Sequence, residues 1–332
     1  MPSIKLKYDA LGVISDLHND KIFLKDSIAW FKENPVDAII FNGDTPGYTK
    51  SSFVFIIKKY LKLNIPLIIF PGSHENGILY AQTMNEFKSN KLVIDAFKPN
   101  NRLIKYDKWE LIMIPGSGVV NKGPRKFRGG SFWLFEKPIT KAIQKRIDLK
   151  LQQIGFAHKA TPVSLADNKR IIKNKSRTTG SKKIVFAHDP ILFESKNGLD
   201  IAKFGIGTKS FKIQKKHLRL KAFKEFDWSK NTEHVKGNII LLDKAKVLKN
   251  YGYPIKIKNQ HVGNLFVRTF LRRHRITKFV CGHIHECGKR AIDKNEHKVK
   301  QKVPSSNLFI NSGPNTATRL EFKKNKISYE FM

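Results

Sequence analysis

Ala10-Leu11-Gly12-Val13-Ile14-Ser15-Asp16-Leu17-His18 sets an uncharged, mostly apolar run directly before a carboxylate and an imidazole two positions apart. A short apolar run closed by polar residues reads as a β-strand buried on both faces. The pattern returns four times. Residues 38–41 precede Asn42-Gly43-Asp44, and residues 67–70 precede Gly72-Ser73-His74-Glu75. Residues 184–186 precede Ala187-His188-Asp189, and residues 278–281 precede Gly282-His283-Ile284-His285. A strand end holds the backbone rigidly while its side chains project into a crevice, so five such ends carrying Asp and His point to a metal site assembled from remote stretches. Taken singly, each of these residues reads as a turn, a cap or a satisfied core histidine. Their ordered recurrence is what argues for an enzyme.

The ligand chemistry can be read in the same residues. Asp16 and His18 have a spacing that lets both side chains reach one ion if the backbone there is extended, Asp44 can bridge two ions, and His188, His283 and His285 supply imidazoles, the last two again two positions apart. A mixture of Asp and His suits Mn, Fe, Zn, Ni or Co, whereas a Mg or Ca site is richer in carboxylates.

The 332 residues suffice for a sizeable core, and 40% of them are apolar. No run of eighteen apolar residues is present, so no membrane span is expected. Met1-Pro2-Ser3-Ile4-Lys5 lacks the apolar centre of a signal peptide. Cys281 and Cys287 are too few for a disulfide scaffold. A soluble, intracellular protein of the cytoplasm is the expectation. The net charge is +36, unevenly spread: 15 Lys or Arg against 12 Asp or Glu in residues 1–110, 27 against 8 in 111–230, and 21 against 7 in 231–332. Such a field draws polyanions, and DNA or RNA is an expected partner of the region after residue 110. A lysine-rich background with no nucleic-acid partner accounts for the same numbers.

Strand and helix alternate through the first third, with helices expected over 21–31, 51–63 and 78–87 and a further strand over 110–114. Residues 116–182 read as a basic excursion from one domain spanning 1–332, and 194–258 as a second. Helices are expected within 133–155, 211–226 and 260–275, with 164–181 left as a polar stretch. Residues 307–311 read as a strand and 319–331 as a hairpin turning at Lys324-Asn325.

The series Asp16-Leu17-His18, Gly43-Asp44, Gly72-Ser73-His74-Glu75, Ala187-His188-Asp189 and Gly282-His283-Ile284-His285 resembles the calcineurin-like metallophosphoesterases in order and content. The resemblance covers about 1–115, 183–192 and 278–315. It implies an α/β (α+β) four-layer fold, two mixed sheets packed as a sandwich flanked by helices, with a dinuclear site at the strand ends. By that resemblance Asp16, His18 and His285 hold one divalent transition metal ion (Mn, Fe, Zn, Ni or Co), Asp44 bridges, and His188 and His283 hold the second. Ser73 falls where the family has an Asn ligand, which weakens the second site. His74 stands beside the scissile phosphate, oriented by Glu75, and Asn42 is a turn or supporting residue.

The implied reaction is hydrolysis of phosphate mono- or diesters by in-line attack of a metal-bridging hydroxide, with small phosphate esters or nucleotides as substrates and phosphodiesters favoured. Arg125, Lys126 and Arg128, near Phe127, Phe132 and Trp133, are candidates for gripping phosphate and stacking a base. Two alternatives stand beside this reading. One is a nuclease or nucleic-acid end-processing enzyme; the other is a nucleic-acid-binding or structural protein that retains a weakened metal site.

Overall fold

The computed structural model describes residues 2–45, 49–117, 132–135, 161–176, 182–214, 233–234 and 239–332. In chain order the strands of its two large sheets are β1 (Ser3–Ile4), β2 (Ala10–Ile14), β3 (Ala38–Asn42), β4 (Leu67–Phe70), β5 (Val93–Asp95), β6 (Leu103–Tyr106) and β7 (Trp109–Ile114). There follow β8 (Lys183–Ala187), β9 (Lys278–Cys281), β10 (Arg290–Ile292), β11 (Leu308–Asn311), β12 (Ala317–Lys323) and β13 (Lys326–Phe331). One sheet has the order β13-β12-β2-β3-β4-β5, with β2 to β5 parallel and the β12–β13 hairpin antiparallel at its edge. The other has the order β1-β6-β7-β8-β9-β11-β10, with β7, β8, β9 and β11 parallel.

The central strands lack polar alternation because both their faces are buried. On β2, Leu11 and Val13 face a cluster shared with Leu111, Met113, Ile184, Phe186 and Val280 of the opposite sheet. That cluster is the interior of the sandwich. Ala10 and Ile14, from the alternate positions, join a second cluster with Phe23, Phe31, Phe53 and Tyr60. These belong to helices α1 (Lys21–Glu33) and α2 (Lys50–Leu61), which with α3 (Gly77–Glu86) cover that sheet. Helices α4 (Leu165–Lys175) and α5 (Leu265–Arg273) likewise bring Ile171 and Phe270 against Ile112, Val185 and Phe279. The period-two split of each strand thus produces helix, sheet, sheet, helix.

Asp37 ties the sheets together beside the start of β2. Its buried carboxylate accepts the backbone N–H groups of Lys7, Tyr8 and Ala10 and, across the sandwich, the Tyr106 hydroxyl at 2.7 Å.

Three expectations are corrected. Residues 164–181 contain a helix, α4, whose buried face includes Asn168 beside Leu165, Ile171 and Ile172. Asn168 donates to the Met113 carbonyl and accepts from Arg102, so a polar residue occupies a core-facing position and obscures the apolar period. The helix expected over 260–275 begins only at Leu265. Gln260 and His261 end a strand, Ile255–His261, that pairs with Ile201–Gly207 in a small sheet with Ile239–Leu241. Phe211–Lys212 is strand and not helix. Phe132–Phe135 pairs as a strand with Thr161–Ser164 and leaves the helix expected within 133–155 untested. The rest of the helices expected over 133–155 and 211–226, and the loop carrying Arg125, Phe127, Lys126 and Arg128, lies outside the described residues.

Candidate metal centre

Each strand that carries a polar cluster ends at the same rim. β2, β3 and β4 are neighbours in one sheet, and β8 and β9 are neighbours in the other, so the loops after five parallel strands face one another. The backbone there is specialised. Asp16, His18, Asp44 and His283 all have positive φ, at 53°, 46°, 52° and 67°. The left-handed region is uncommon for non-glycine residues and gathers at functional sites, where the surrounding structure holds it in place. Two glycines permit the loops to close. A Cβ on Gly72 would lie 2.6 Å from both the Asp44 Oδ1 and the His188 ring, and one on Gly282 would lie 1.9 Å from Ser15 Oγ and 2.3 Å from Asp16 Oδ2.

Two groups of potential ligands result. Asp16, His18 and His285 form one, and Asp44, His188 and His283 the other. In the first, His18 Nε2 and His285 Nε2 are 3.3 Å apart, and each approaches Asp16 Oδ1, at 3.8 and 3.3 Å. In the second, His188 Nε2 lies 3.2 Å from His283 Nδ1 and 3.0 Å from Asp44 Oδ2. A tetrahedral ion with bonds of about 2.0–2.1 Å to nitrogen sets its ligand atoms roughly 3.3–3.4 Å apart. The spacings therefore fit divalent transition ions. The groups adjoin, since His188 Nε2 is also 4.0 Å from Asp16 Oδ1.

Ser73 sits among the second group. Its hydroxyl lies 3.3 Å from both His188 Nε2 and His283 Nδ1 and donates to Asp44 Oδ2 at 2.7 Å. Supporting contacts fix the rest. His188 Nδ1 donates to the Asn42 carbonyl at 3.0 Å, which leaves Nε2 as the nitrogen that faces the cluster. Asp44 Oδ1 accepts the backbone N–H groups of Ser73 and His74 at 2.6 and 2.7 Å. Asp16 accepts the Ser15 hydroxyl and the His283 backbone N–H. Ser15 is the contributor that sequence reasoning missed; only its place beside Asp16 could have flagged it. Glu75 is buried, and its carboxylate oxygens accept the backbone N–H groups of Thr45 and Gly72 instead of the His74 ring. It braces two of the site loops against each other. His74 is exposed, with Nε2 at 3.8 Å from Asp44 Oδ2 and its ring 5.1 Å from that of His18.

The charges follow from this packing. Burial opposes ionisation of Asp16, but the His285 hydrogen bond and the His188 charge outweigh it and hold the carboxyl down at about 2. Asp44 is also buried, and His188 brings it well below the usual carboxylate range. Burial disfavours the charged form of His188, yet Asp44 and Asp16 raise its pKa well above that of an ordinary histidine; His285 is raised in the same way by Asp16. His18 is lowered mainly by burial, and His283 by burial and then by His188. Burial and the Asp44 charge push Glu75 up to about 8, against the two N–H donors that favour its carboxylate.

The model for calcineurin-like phosphoesterases matches residues 10–203, and the chain belongs to that family. It is by class a metal-dependent phosphoesterase. A crystal structure of TT1561 from Thermus thermophilus aligns over 98% of this chain and 99% of its own at 10% identity, with a TM-score of 0.49. A second crystal structure aligns over the same shares at 8% identity with a TM-score of 0.51, a likeness of fold alone. No curated protein sequence matches the chain at a significant level. Among the described residues no helix is long and apolar enough to cross a membrane.

Proposed function

We propose that this protein hydrolyses phosphodiester bonds at a centre of two divalent transition metal ions, Mn, Fe, Zn, Ni or Co. The supporting observation is the junction of the two ligand groups, with His188 Nε2 lying 3.0 Å from Asp44 Oδ2 of its own group and 4.0 Å from Asp16 Oδ1 of the other. Asp16, His18 and His285 would hold one ion, and Asp44, His188 and His283 the other, with Asp44 the candidate to share. When bound, the ions supply Lewis-acid withdrawal of charge from the phosphoryl oxygens and activation of water. The protein's own part is positioning and proton transfer. Asp44 is locked by two backbone N–H groups and the Ser73 hydroxyl, so its free coordination directions are fixed. Asn42 fixes the tautomer of His188. His74 is exposed beside Asp44, where its imidazole can give a proton to the departing ester oxygen. Glu75 keeps the Asp44 and His74 loops in register through Thr45 and Gly72. Ser73 supplies a shorter, weaker donor than an amide, and the second ion binds more loosely for it. A binding protein with a decayed site would not be expected to keep six ligands converging with this backbone geometry.

The test is turnover of bis-p-nitrophenyl phosphate, p-nitrophenyl phosphate and labelled single- and double-stranded DNA and RNA, with Mn, Ni, Zn or chelator. Wild type with Mn is expected to cleave the diester faster than the monoester. Asp44→Asn and chelation should each abolish turnover, and His74→Ala should lower kcat by about 10²–10⁴. Hydrolysis that survives both chelation and Asp44→Asn would refute the assignment.

A further inference from the structure

Away from the ligand cluster, the sandwich has an open side where both sheets end. There β10 is the edge of one sheet and β13 the edge of the other, and a cavity of about 610 Å³ lies against them. Its lining includes Lys289, Arg290, Lys298 and Lys300, with Phe331 from β13 and one acid, Glu296. The acid does not neutralise the lysines. Its carboxylate accepts from the backbone N–H groups of Glu194 and Ser195 and the Ser195 hydroxyl and pairs with none of the lysines, so four cations against this one charge leave the wall strongly positive. Arg290 is braced by the Asn197 carbonyl, which fixes its guanidinium at the wall. Lys289, Lys298 and Lys300 are exposed, and among the described residues none has a carboxylate within ion-pair distance. A concave wall with four cations, one engaged carboxylate and an aromatic ring is built for anions.

The strand register locates the cavity relative to the metal centre. Arg290 pairs with Asn311, and Asn311 pairs with Cys281, the residue before Gly282-His283. On the other sheet Phe331 pairs with Thr318, whose neighbour Ala317 pairs with Ile14, two residues before Asp16. Both walls therefore begin level with the ligands and lie two strands to the side, about 10 Å at the usual strand spacing, and Lys298 and Lys300, on the segment bonded outside β10 through Val299 and Ala291, lie about one spacing further. We propose that this groove is a second anion subsite, which takes a phosphate of the substrate about 10–15 Å from the scissile one while Phe331 offers a face for a base. This rests on the phosphoesterase reading and narrows it to substrates bearing more than one phosphate. A short single strand of nucleic acid and a small polyphosphorylated ester share that chemistry.

The experiment uses full-length protein loaded with Mn, comparing wild type with a Lys289→Gln, Lys298→Gln, Lys300→Gln triple variant and with Phe331→Ala. Binding of fluorescein-labelled oligothymidylate is followed against salt, and tripolyphosphate serves as a competitor. Neutralising three lysines is expected to flatten the slope of log K against log salt by about 2. KM for a 5′-phosphorylated oligothymidylate should rise at least tenfold, on the order of the salt-dependent loss, while turnover of bis-p-nitrophenyl phosphate stays at the wild-type rate. Weaker oligothymidylate binding by Phe331→Ala, with tripolyphosphate competition unchanged, identifies a nucleic-acid strand as the source of the phosphate. Equal behaviour of Phe331→Ala and wild type identifies a small polyphosphate ester. An unchanged salt slope and KM in the triple variant overturns the subsite. Failure of wild type to hydrolyse bis-p-nitrophenyl phosphate would instead overturn the phosphoesterase reading, and the binding arm would still decide the groove.

Discussion

Loading the centre with metal should release about two protons near pH 6.5, a number that follows from which histidines face carboxylates. His188 lies 3.0 Å from Asp44 Oδ2 and His285 lies 3.3 Å from Asp16 Oδ1, and both have raised pKa values. These two are imidazolium in the metal-free fold near the ordinary histidine pKa. His18 and His283 are lowered by burial and so are mostly uncharged there. A ligating imidazole must be neutral, so each ion displaces one proton, and apparent affinity for each rises about tenfold, or about 1.4 kcal/mol, per pH unit while that histidine remains protonated. Calorimetric titration with Mn in two buffers of different ionisation enthalpy counts the protons directly. Glu75, raised to about 8, loses stabilisation as pH climbs from about 4.5 to about 8, and the same histidines add to this pH dependence. Because their folded pKa values exceed the unfolded value, their stabilisation is full below about pH 6.5 and is lost as pH rises through the folded values. Asp16 and Asp44 act oppositely: their contribution is present above about pH 4 and is lost as pH falls through their lowered values, about 2 for Asp16. Melting of the metal-free protein should thus fall between pH 6.5 and 8 while the increment from Mn grows. Release of fewer than one proton at pH 6.5, or a metal increment that shrinks with pH, would refute this charge assignment.

Ser73→Asn should tighten the second ion by about 10–100-fold and raise turnover at low metal, whereas Ser73→Ala should loosen it and cost about 1.5–3 kcal/mol of metal-free stability through the lost bond to Asp44; equilibrium dialysis and melting read the two effects separately. Gly282→Ala places a methyl group against Ser15 Oγ and Asp16 Oδ2, so the first ion should bind more weakly and overpacking should cost about 1–3 kcal/mol, roughly 1–4 °C in Tm for a chain of this length. Asp37→Ala leaves the buried Ala10 N–H and Tyr106 hydroxyl without their acceptor, which should cost about 2–6 kcal/mol in denaturant titration and leave metal affinity unchanged.

The sandwich and the ligand set were legible because parallel strands buried on two faces write themselves as unbroken apolar runs, and because each run stops at a chemically conspicuous cluster. Less legible were elements whose burial is one-sided or polar. Asn168 faces the core with its amide satisfied by Met113 and Arg102, so α4 showed no apolar stripe. Val262 has apolar spacing relative to Leu265 and Phe266 but packs with Ile201, Ile284 and Cys287, outside the helix. Glu75 follows His74 in sequence, which suggests a direct pair. Its side chain instead turns to backbone N–H groups of two loops, a partnership that lies across Asp44 and cannot be read from adjacency. The cationic cavity combines Lys289 and Arg290 with Lys298, Lys300 and Phe331, which only the meeting of two sheet edges brings together.

Asp16, His18 and Asp44 are carried by one sheet, and His188, His283 and His285 by the other. Each ligand group therefore straddles the seam, and the spacing of its ligand atoms is set by how closely two independent slabs settle on each other. Volume changes among Ile40, Met113, Phe186 and Val280, deep in the seam and remote from any reacting atom, should act as a screw thread on the ligand spacing of both groups.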